Sequence, residues 1–385
     1  MPVNETMHEP MNEPMIEITN VSKRFGDFEA IKNVSLGVPE GSFTTLLGPS
    51  GCGKTTLMKL IAGFFEPDAG QIRIGGKRMN GLPAFKRDTP LVFQDYALFP
   101  HMTVEDNIAY GLKLRKLPRR DVQQKIAAMA DMFGLHGLQH RYPRALSGGQ
   151  QQRVAFARAL VTGSRVILMD EPLSNLDAKM RVEVRDELRL LQQRLGFTAI
   201  FVTHDQDEAL SISDQVAVFD QGRIVQTGTP REIYHRPASA FTAGFVGAAN
   251  FADGVVQAVE GGELIIASGI GLMRAVRDSA RFAEGDRVTM VIRPENIAIR
   301  DASFHGDNAW SGFVRRVSFH GRSIRYWVAD DHAEWIVDCP GTGPENGVGL
   351  EARIQLSVDK RAIHVLPYEG DAAGFGQSIR PNREE

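Results

Sequence analysis

The chain has 385 residues, enough for roughly two or three domains, and its 44 Lys and Arg against 47 Asp and Glu leave a net charge of -3. That balance excludes a global electrostatic pull toward nucleic acid or an acidic membrane surface. Its two cysteines, Cys52 and Cys339, exclude a disulfide framework and, with Cys52 set among glycines, point to a reducing, cytoplasmic compartment.

The first 14 residues, MPVNETMHEPMNEP, carry prolines and acids without a continuous apolar core and read as a disordered leader rather than a secretion signal. Nowhere does an apolar run approach the roughly 18 residues that a membrane-spanning helix needs, so any membrane role is borrowed from a partner. From Met15 to about Val38 the alternation in IEITNVSKRF and VSLGV predicts half-buried antiparallel strands. FTTLLG follows as a short buried strand, then the glycine loop GPSGCGKTT, then a helix with Leu57, Leu60, Ile61 and Phe64 on one face.

Residues from about Val104 to Gly134 form a helical insert: TVED caps one helix ahead of Ile108 and Leu112, and Val122, Ile126, Met129 and Phe133 space a second before a glycine stop. RVILMDE and FTAIFVTHD are short apolar runs ending in polar residues. Between them lies a helix with Met180, Val184, Leu188, Leu191 and Leu195, stopped by Gly196. Strands alternating with helices imply a mostly parallel sheet with ligands at its carboxyl ends.

Near Thr229 the pattern changes: TPRE has the form of a capping box, and RPASAFTAGFVGAAN is a connector of small residues. Beyond Asn250 short strand-like segments, LIIAS, RVTMVI, WIVD and ARIQLSV, punctuated by glycine and Asp-Asp turns, predict a small β-barrel or sandwich. The residues after about Gly370 read as a loose tail.

Chemistry concentrates in a few places. GPSGCGKT, Gly48 to Thr55, fits G-x-x-x-x-G-K-[ST]. There glycine amides curl around a β-phosphate, Lys54 reaches the β- and γ-phosphates, and the Thr55 hydroxyl serves Mg²⁺. VILMDE delivers Asp170 and Glu171 to a strand end, where alternation lets one carboxylate help hold a metal and the other address water. A solvated acidic strand end is the plainer alternative for that pair taken alone. His204 closes FVTHD, either as a capping imidazole or as a γ-phosphate contact. Gln94 is by itself an ordinary loop amide, and Tyr96, Leu98, Phe99 and Met102 behind it are either core or a docking surface. In LSGGQ, Ser147 and Gln150 make a capping box, which leaves Gly148 and Gly149 unexplained unless backbone approaches something closely, such as an anion.

In this order the segments resemble the ATP-binding subunit of an ABC transporter: GPSGCGKT resembles Walker A, Gln94 the Q-loop, LSGGQ the signature, VILMDE Walker B, SNLD the D-loop and His204 the switch histidine. VIRPENIAI is similar to part of the TOBE domain of importer subunits. The resemblance implies an α/β, P-loop NTPase nucleotide-binding domain of ABC type over 15-240 with a helical subdomain at about 95-160. A small all-β, OB-like TOBE domain over 241-369 and a tail over 370-385 follow.

For the site the resemblance implies ATP bound by Phe25 against adenine and by Gly48, Pro49, Ser50, Gly51, Cys52, Gly53, Lys54, Thr55 and Thr56. Ser147, Gly148, Gly149, Gln150 and Asp177 would come from a second copy, Thr55, Gln94 and Asp170 would hold Mg²⁺, and Glu171, His204 and Gln94 would act in catalysis. It further implies a homodimer at the cytoplasmic face of the inner membrane, bound to transmembrane permease subunits and served indirectly by an extracytoplasmic solute-binding protein. FQDYALFPHMTVEDNIAYGL and FVGAANF look most like polyamine importers, with aminophosphonate, ferric-iron and sugar importers close behind. A soluble ABC-type ATPase acting on nucleic acid or ribosomes is the alternative of another class. Its support is the basic run KLRKLPRR, which otherwise reads as a solvated helix end.

Overall fold

The computed structural model describes residues 14–277, 281–301, 303–341 and 348–370. The leader and the tail expected from the sequence lie outside these residues, Pro14 and Gly370 apart. The chain divides into two compact units, Met1–Pro230 and Arg231–Glu385.

The first unit runs β1 (Ile16–Phe25), β2 (Phe28–Val38), β3 (Phe43–Leu47), α1 (Lys54–Ala62), β4 (Ala69–Ile74), β5 (Lys77–Arg78), β6 (Leu91–Val92), α2 (Val104–Leu114), α3 (Arg119–Met132) and α4 (Gly148–Leu160). It continues with β7 (Val166–Asp170), α5 (Ala178–Leu195), β8 (Thr198–Thr203), α6 (Gln206–Ile212), β9 (Gln215–Asp220) and β10 (Arg223–Gly228). An antiparallel sheet is ordered β2-β1-β4-β5, and a six-stranded sheet β10-β9-β3-β8-β7-β6. All neighbours in the larger sheet are parallel except β9 and β10, as the strand–helix alternation predicts.

The central strands are apolar on both faces because both faces are covered. Leu46, Leu168, Ile200 and Val202 pack with Leu57, Leu60 and Ile61 of α1 and with Ile16, Ile18 and Ile31 of the antiparallel sheet. On the other side Phe43, Ile167, Met169 and Phe201 meet Phe156 and Leu160 of α4 and Val184 and Leu188 of α5. The helical insert has a small core of its own, in which Ile108, Leu112, Val122 and Ile126 surround Val154 and Ala157 of α4.

Helix ends follow their caps. Thr103 accepts from the Asp106 amide at 3.2 Å at the start of α2, and Gly196, at φ 67°, ends α5 as predicted. One expectation is corrected: Phe64 does not extend the buried face of α1. Gly63 takes a left-handed φ of 85° and stops the helix at Ala62, which leaves Phe64 54% exposed. The basic run from Lys113 to Arg120 is a largely exposed helix end and helix start, with Lys113 paired to Asp106 at 2.8 Å and Arg115 to Asp88.

The second unit begins with α7 (Pro230–His235) and α8 (Ala240–Val246) and is otherwise all β. Strands β11 (Asn250–Glu260), β12 (Glu263–Ser268), β13 (Gly271–Val276), β14 (Arg287–Ile292) and β20 (Ile363–Pro367) form one antiparallel sheet, ordered β13-β12-β11-β14-β20. The other joins β15 (Ile297–Arg300), β16 (Ala309–Phe319), β17 (Ser323–Ala329), β18 (Glu334–Pro340) and β19 (Arg353–Val358) in the order β15-β19-β16-β17-β18. Inward residues of both sheets share one core, among them Ile266, Met290, Tyr326, Val337 and Leu356. The Asn250 side chain ties the sheets by donating to the Ile336 carbonyl at 2.8 Å and accepting from its amide at 2.7 Å. The Asp330-Asp331 turn is organised by the Asp330 carboxylate, which accepts from the amides of His332 and Ala333 and from Trp335 Nε1.

Trp335 is 2% exposed and its ring centroid lies 4.8 Å from that of Trp310. Replacing so large a buried ring leaves a cavity costing about 3–5 kcal/mol. Trp335→Ala is therefore expected to lower the urea midpoint of this unit, read by the emission of the remaining Trp310 and Trp327; a loss below about 1 kcal/mol would contradict the shared core.

Candidate functional site

Strands β3, β7 and β8 end together: Leu47 is in register with Thr203, and Asp170 with Val202. Whatever follows these strands therefore emerges at one edge of the sheet.

After β3 comes the loop Gly48–Gly53. Its glycines are required by space and by backbone angle. A Cβ on Gly48 would meet the Phe219 carbonyl at 2.5 Å, and Gly53, at φ 111°, has the Ala30 carbonyl 2.7 Å from its Cβ position. Gly51 also has a positive φ, 79°. Pro49 is half-buried, Ser50 and Gly51 are exposed, and Cys52 is buried with its thiol pushed up by desolvation. Lys54 opens α1 and is 4% exposed; its ammonium donates to the carbonyls of Gly48 at 2.7 Å and Pro49 at 2.8 Å, closing over the loop. Thr55 and Thr56 follow on the first turn of α1, both partly buried.

After β7 stand the carboxylates. Asp170 Oδ1 accepts from Thr55 Oγ1 at 2.9 Å, joining the loop to the strand end. Burial pushes the Asp170 carboxyl above the usual carboxylate range, assisted by the Glu171 charge and opposed by the Thr55 hydrogen bond and by Lys59 and Lys54. Glu171 sits at φ 44°, a strained left-handed conformation for a side chain with a Cβ. Its amide donates to the Val202 carbonyl at 3.0 Å, and its carbonyl accepts from Ser174 Oγ at 2.9 Å.

After β8 stands His204, whose Nδ1 is 3.1 Å from Glu171 Oε2. His204 lies at the carboxyl edge of the sheet. A cavity of about 70 Å³ opens between Glu171, Ser174, Arg181 and His204, more than the roughly 10–15 Å³ that one water occupies.

Other expected residues lie on the elements around this edge. Phe25, at the end of β1, is 43% exposed and meets Phe65 edge-on with centroids 5.1 Å apart. Gln94 is exposed after β6 and its carbonyl accepts from Asn175 Nδ2 at 2.8 Å. Behind it Tyr96 is core, 3% exposed, while Leu98, Phe99 and Met102 are partly buried. Ser147 and Gln150 form both halves of the capping box at the start of α4. The close approach that the glycines permit is to Met180, whose Cε lies 2.2 Å from the Cβ position of Gly149; Gly148 has only ordinary contact with Leu176. Ser147 and Gly148 are exposed, and among the described residues Ser147–Gln150 make no hydrogen bond to the loop Gly48–Thr55. Asp177 is exposed and caps α5 by accepting from the Met180 amide at 3.0 Å.

The sequence gives no warning of three supporting residues. Asn175 ties the segment after β7 to Gln94. Arg158, at the far end of α4, donates to the carbonyls of Tyr96 and Ala97, both at 2.8 Å. Arg181 donates to the Leu176 carbonyl at 3.3 Å and to Asp205 at 3.4 Å, and pairs with Glu208 at 3.7 Å. Glu208 is buried, its carboxyl raised by desolvation, and it accepts from Thr203 Oγ1 at 2.6 Å.

Comparison with known proteins shows the family. Residues 31–174 match the ABC transporter family and residues 290–366 the TOBE domain. The Fe(3+) ions import ATP-binding protein of Rhizobium etli is 48% identical over 353 residues, covering 91% of this chain and 97% of that protein. That of Brucella abortus is 44% identical over the same share of each chain, 91% and 97%. The spermidine/putrescine import ATP-binding protein of Thermotoga maritima is 44% identical, covering 84% of this chain and 92% of that protein. Among solved structures, a dimeric ATP-binding cassette in a post-hydrolysis state with ADP and Pi has a TM-score of 0.51 and 30% identity, covering 56% of this chain and 99% of that one. A cassette from Clostridium perfringens that is part of an ABC transporter complex has a TM-score of 0.54 and 29% identity, covering 58% of this chain and 91% of that one. With such relatives matched along most of its length, the chain belongs to the family of ABC transporter ATP-binding proteins, ATPase cassettes followed by a TOBE domain.

Proposed function

We propose that the chain hydrolyses ATP as a two-fold pair, each nucleotide held between Gly48–Thr56 of one copy and Ser147–Gln150 of the other, and that this cycle drives import of a small cationic solute. The observation that carries the reading is the convergence of Lys54, Thr55, Asp170, Glu171 and His204 at one edge of the sheet.

The inventory suits phosphoryl transfer to water, which needs positioning and charge neutralisation more than covalent chemistry. The Lys54 ammonium leaves the Gly48 and Pro49 carbonyls for the β- and γ-phosphoryl oxygens, and the Phe25 ring stacks on adenine. Thr55 and Asp170 offer a hydroxyl and a carboxylate 2.9 Å apart, oxygen donors of the kind that Mg²⁺ shares with phosphates and waters, and the buried Asp170 charge favours a cation beside it. Mg²⁺, when bound there with ATP, would neutralise charge on the phosphoryl oxygens. Gln94 is proposed to reach that ion and the attacking water. Glu171 takes the proton from that water, and His204, bonded to Glu171, orients the carboxylate and contacts the γ-phosphoryl group.

Pairing is supported by the exposure of Ser147, Gly148 and Asp177, by the single glycine loop and single LSGGQ in the chain, and by the dimeric state of the cassette with ADP and Pi. In that pair Asp177 crosses the seam. Among the described residues no helix is long and apolar enough to cross a membrane. We therefore assign the work to permease subunits docked around Gln94–Met102 at the cytoplasmic face of the inner membrane, with a solute-binding protein on the far side. Phe99 and Tyr110, with centroids 4.6 Å apart, give that surface an aromatic cluster.

Polyamine is the first reading for the solute, supported by the spermidine/putrescine relatives of Thermotoga maritima and Rubrobacter xylanophilus, both 44% identical. Ferric ion is the second, supported by the iron-import relatives at 44–48%. Uptake of labelled putrescine and of labelled ferric ion by cells with and without the gene separates them. Loss of putrescine uptake alone is expected, and loss of iron uptake alone would reverse the order.

Glu171→Gln should keep ATP binding within about threefold and lower turnover by about 10² or more, accumulating an ATP-bound pair in size-exclusion chromatography. Turnover near that of the parent would remove Glu171 from the role of base. Asp170→Asn separates the metal from the fold. Because the folded carboxyl is raised, its charge disfavours the native state above that pKa and ceases to do so once pH falls below its ordinary value. The amide still accepts from Thr55, so the variant should melt at or above the parent temperature at pH 7, with the difference vanishing in acid, while Mg²⁺-dependent turnover is lost. A lower melting point at pH 7 would contradict the desolvation argument.

A further inference from the structure

His204 is a single residue between two anchored neighbours. Thr203 ends β8 and is 2% exposed, and Asp205 opens α6 by accepting from the Glu208 amide at 3.0 Å. Asp205 and Glu208 have the spacing of a capping box, in which the second acid returns to the amide of the first. Here the second acid is diverted. The Asp205 amide donates instead to Thr203 Oγ1 at 3.0 Å, and that hydroxyl donates to Glu208 Oε2 at 2.6 Å, which ties the buried Glu208 carboxylate to the strand end.

Arg181 meets both acids from another segment. Its Nη1 donates to Asp205 Oδ2 at 3.4 Å and its Nε lies 3.7 Å from Glu208 Oε1, while Nη2 donates to the Leu176 carbonyl at 3.3 Å. Leu176 stands just before Asp177, the cap of α5, in the segment whose Ser174 holds the Glu171 carbonyl at 2.9 Å. The chain segments that carry Glu171 and His204 are therefore joined twice, once by the contact between the two side chains and once through Arg181. Stability of α5 does not account for this arginine, because a cation one turn into a helix lies near the positive end of the dipole. The Glu208 charge does need it, since a buried carboxylate left without a partner is strongly destabilising. Glu171, Arg181, His204 and Glu208 all line the cavity of about 70 Å³ at this edge.

We propose that Arg181 and Glu208 are positioning residues for hydrolysis: they fix the backbone of His204 from both sides and so hold its imidazole against Glu171. This role rests on the reading of Glu171 as base and His204 as its partner. A catalytic group displaced by about 1 Å loses about a hundredfold in rate. Loosening this brace therefore lowers turnover, whereas nucleotide affinity, supplied by Gly48–Thr56, stays.

The test is a double-mutant cycle in the full chain, reading kcat and KM for Mg²⁺-dependent ATP hydrolysis together with the melting temperature. Arg181→Ala should lower kcat about tenfold and change KM by less than about twofold, and adding it to His204→Ala should cost nothing further, because its effect passes through the imidazole. Losses that multiply in the pair would mark a separate, structural role and overturn the proposal. Arg181→Ala leaves Glu208 buried and unpaired, so Arg181→Met combined with Glu208→Gln serves as a second variant that removes both charges and keeps an acceptor for Thr203. It should melt close to the parent and still lose kcat about tenfold; parent turnover in it overturns the proposal as well. The two readings fail differently. Parent turnover in His204→Ala removes the histidine from the reaction and the brace with it, whereas loss in His204→Ala with parent turnover in both arginine variants removes the brace alone.

Discussion

The cassette depends on one constraint: three parallel strands stop at the same level. Because Leu47 pairs with Thr203 and Asp170 with Val202, the residues just beyond, Gly48, Glu171 and His204, leave the sheet side by side although more than a hundred positions separate the first from the others. Parallel hydrogen bonding fixes that level, and burial on both faces fixes the register, since a slip of one residue would exchange the residues facing α1 for those facing α4 and α5. The Thr55–Asp170 hydrogen bond then fastens the helix after one strand to the end of another.

At this edge neighbouring groups are differentiated by their surroundings. Asp170 continues the strand and is desolvated, so burial pushes its carboxyl above the usual carboxylate range. Glu171 leaves the strand through a left-handed turn, and that turn aims its carboxylate toward His204. Strain of about 1–3 kcal/mol persists at such positions only when the surroundings over-determine it. Here the Val202 carbonyl and the Ser174 hydroxyl hold the Glu171 backbone from both sides.

Legibility in the sequence followed the chemistry. The loop Gly48–Thr55 was readable because a phosphate imposes glycines and a lysine at fixed spacing, and the buried strands because apolar runs ended in polar residues. The capping box at Ser147 was readable too, whereas the neighbour of Gly149, the Met180 side chain, belongs to a helix about 30 positions on. Phe64 kept the helical period but lay beyond a left-handed glycine, so the backbone overrode the pattern. Asn175 and Arg158 were invisible because they act on backbone carbonyls of distant segments, and a carbonyl leaves no mark in the sequence; Arg181 reaches carboxylates of a helix more than 20 positions on. In the second unit β16 is hard to read from the sequence: it mixes exposed Phe313, Val317 and Phe319 with arginines, and Arg316 stacks on Trp327 of β17 at 3.5 Å, so apolar periodicity is blurred in β16.

Arg158 joins α4 to the loop after Gln94. Helix α4 begins at Ser147 and ends near Arg158, whose two carbonyl bonds grip Tyr96 and Ala97, residues at φ 61° and 44° that shape the loop after Gln94. A helix of 13 residues is a rod about 20 Å long that bends little. The helix that starts with LSGGQ is therefore joined at its other end to the loop that carries Gln94. Burial lowers the Arg158 pKa, yet guanidinium begins so high that it stays charged, and both its carbonyl partners are held in a conformation that few residues adopt unaided. The LSGGQ segment and the Gln94 loop are thus linked through α4, and Asn175 ties the Gln94 carbonyl to the segment that follows Asp170 and Glu171.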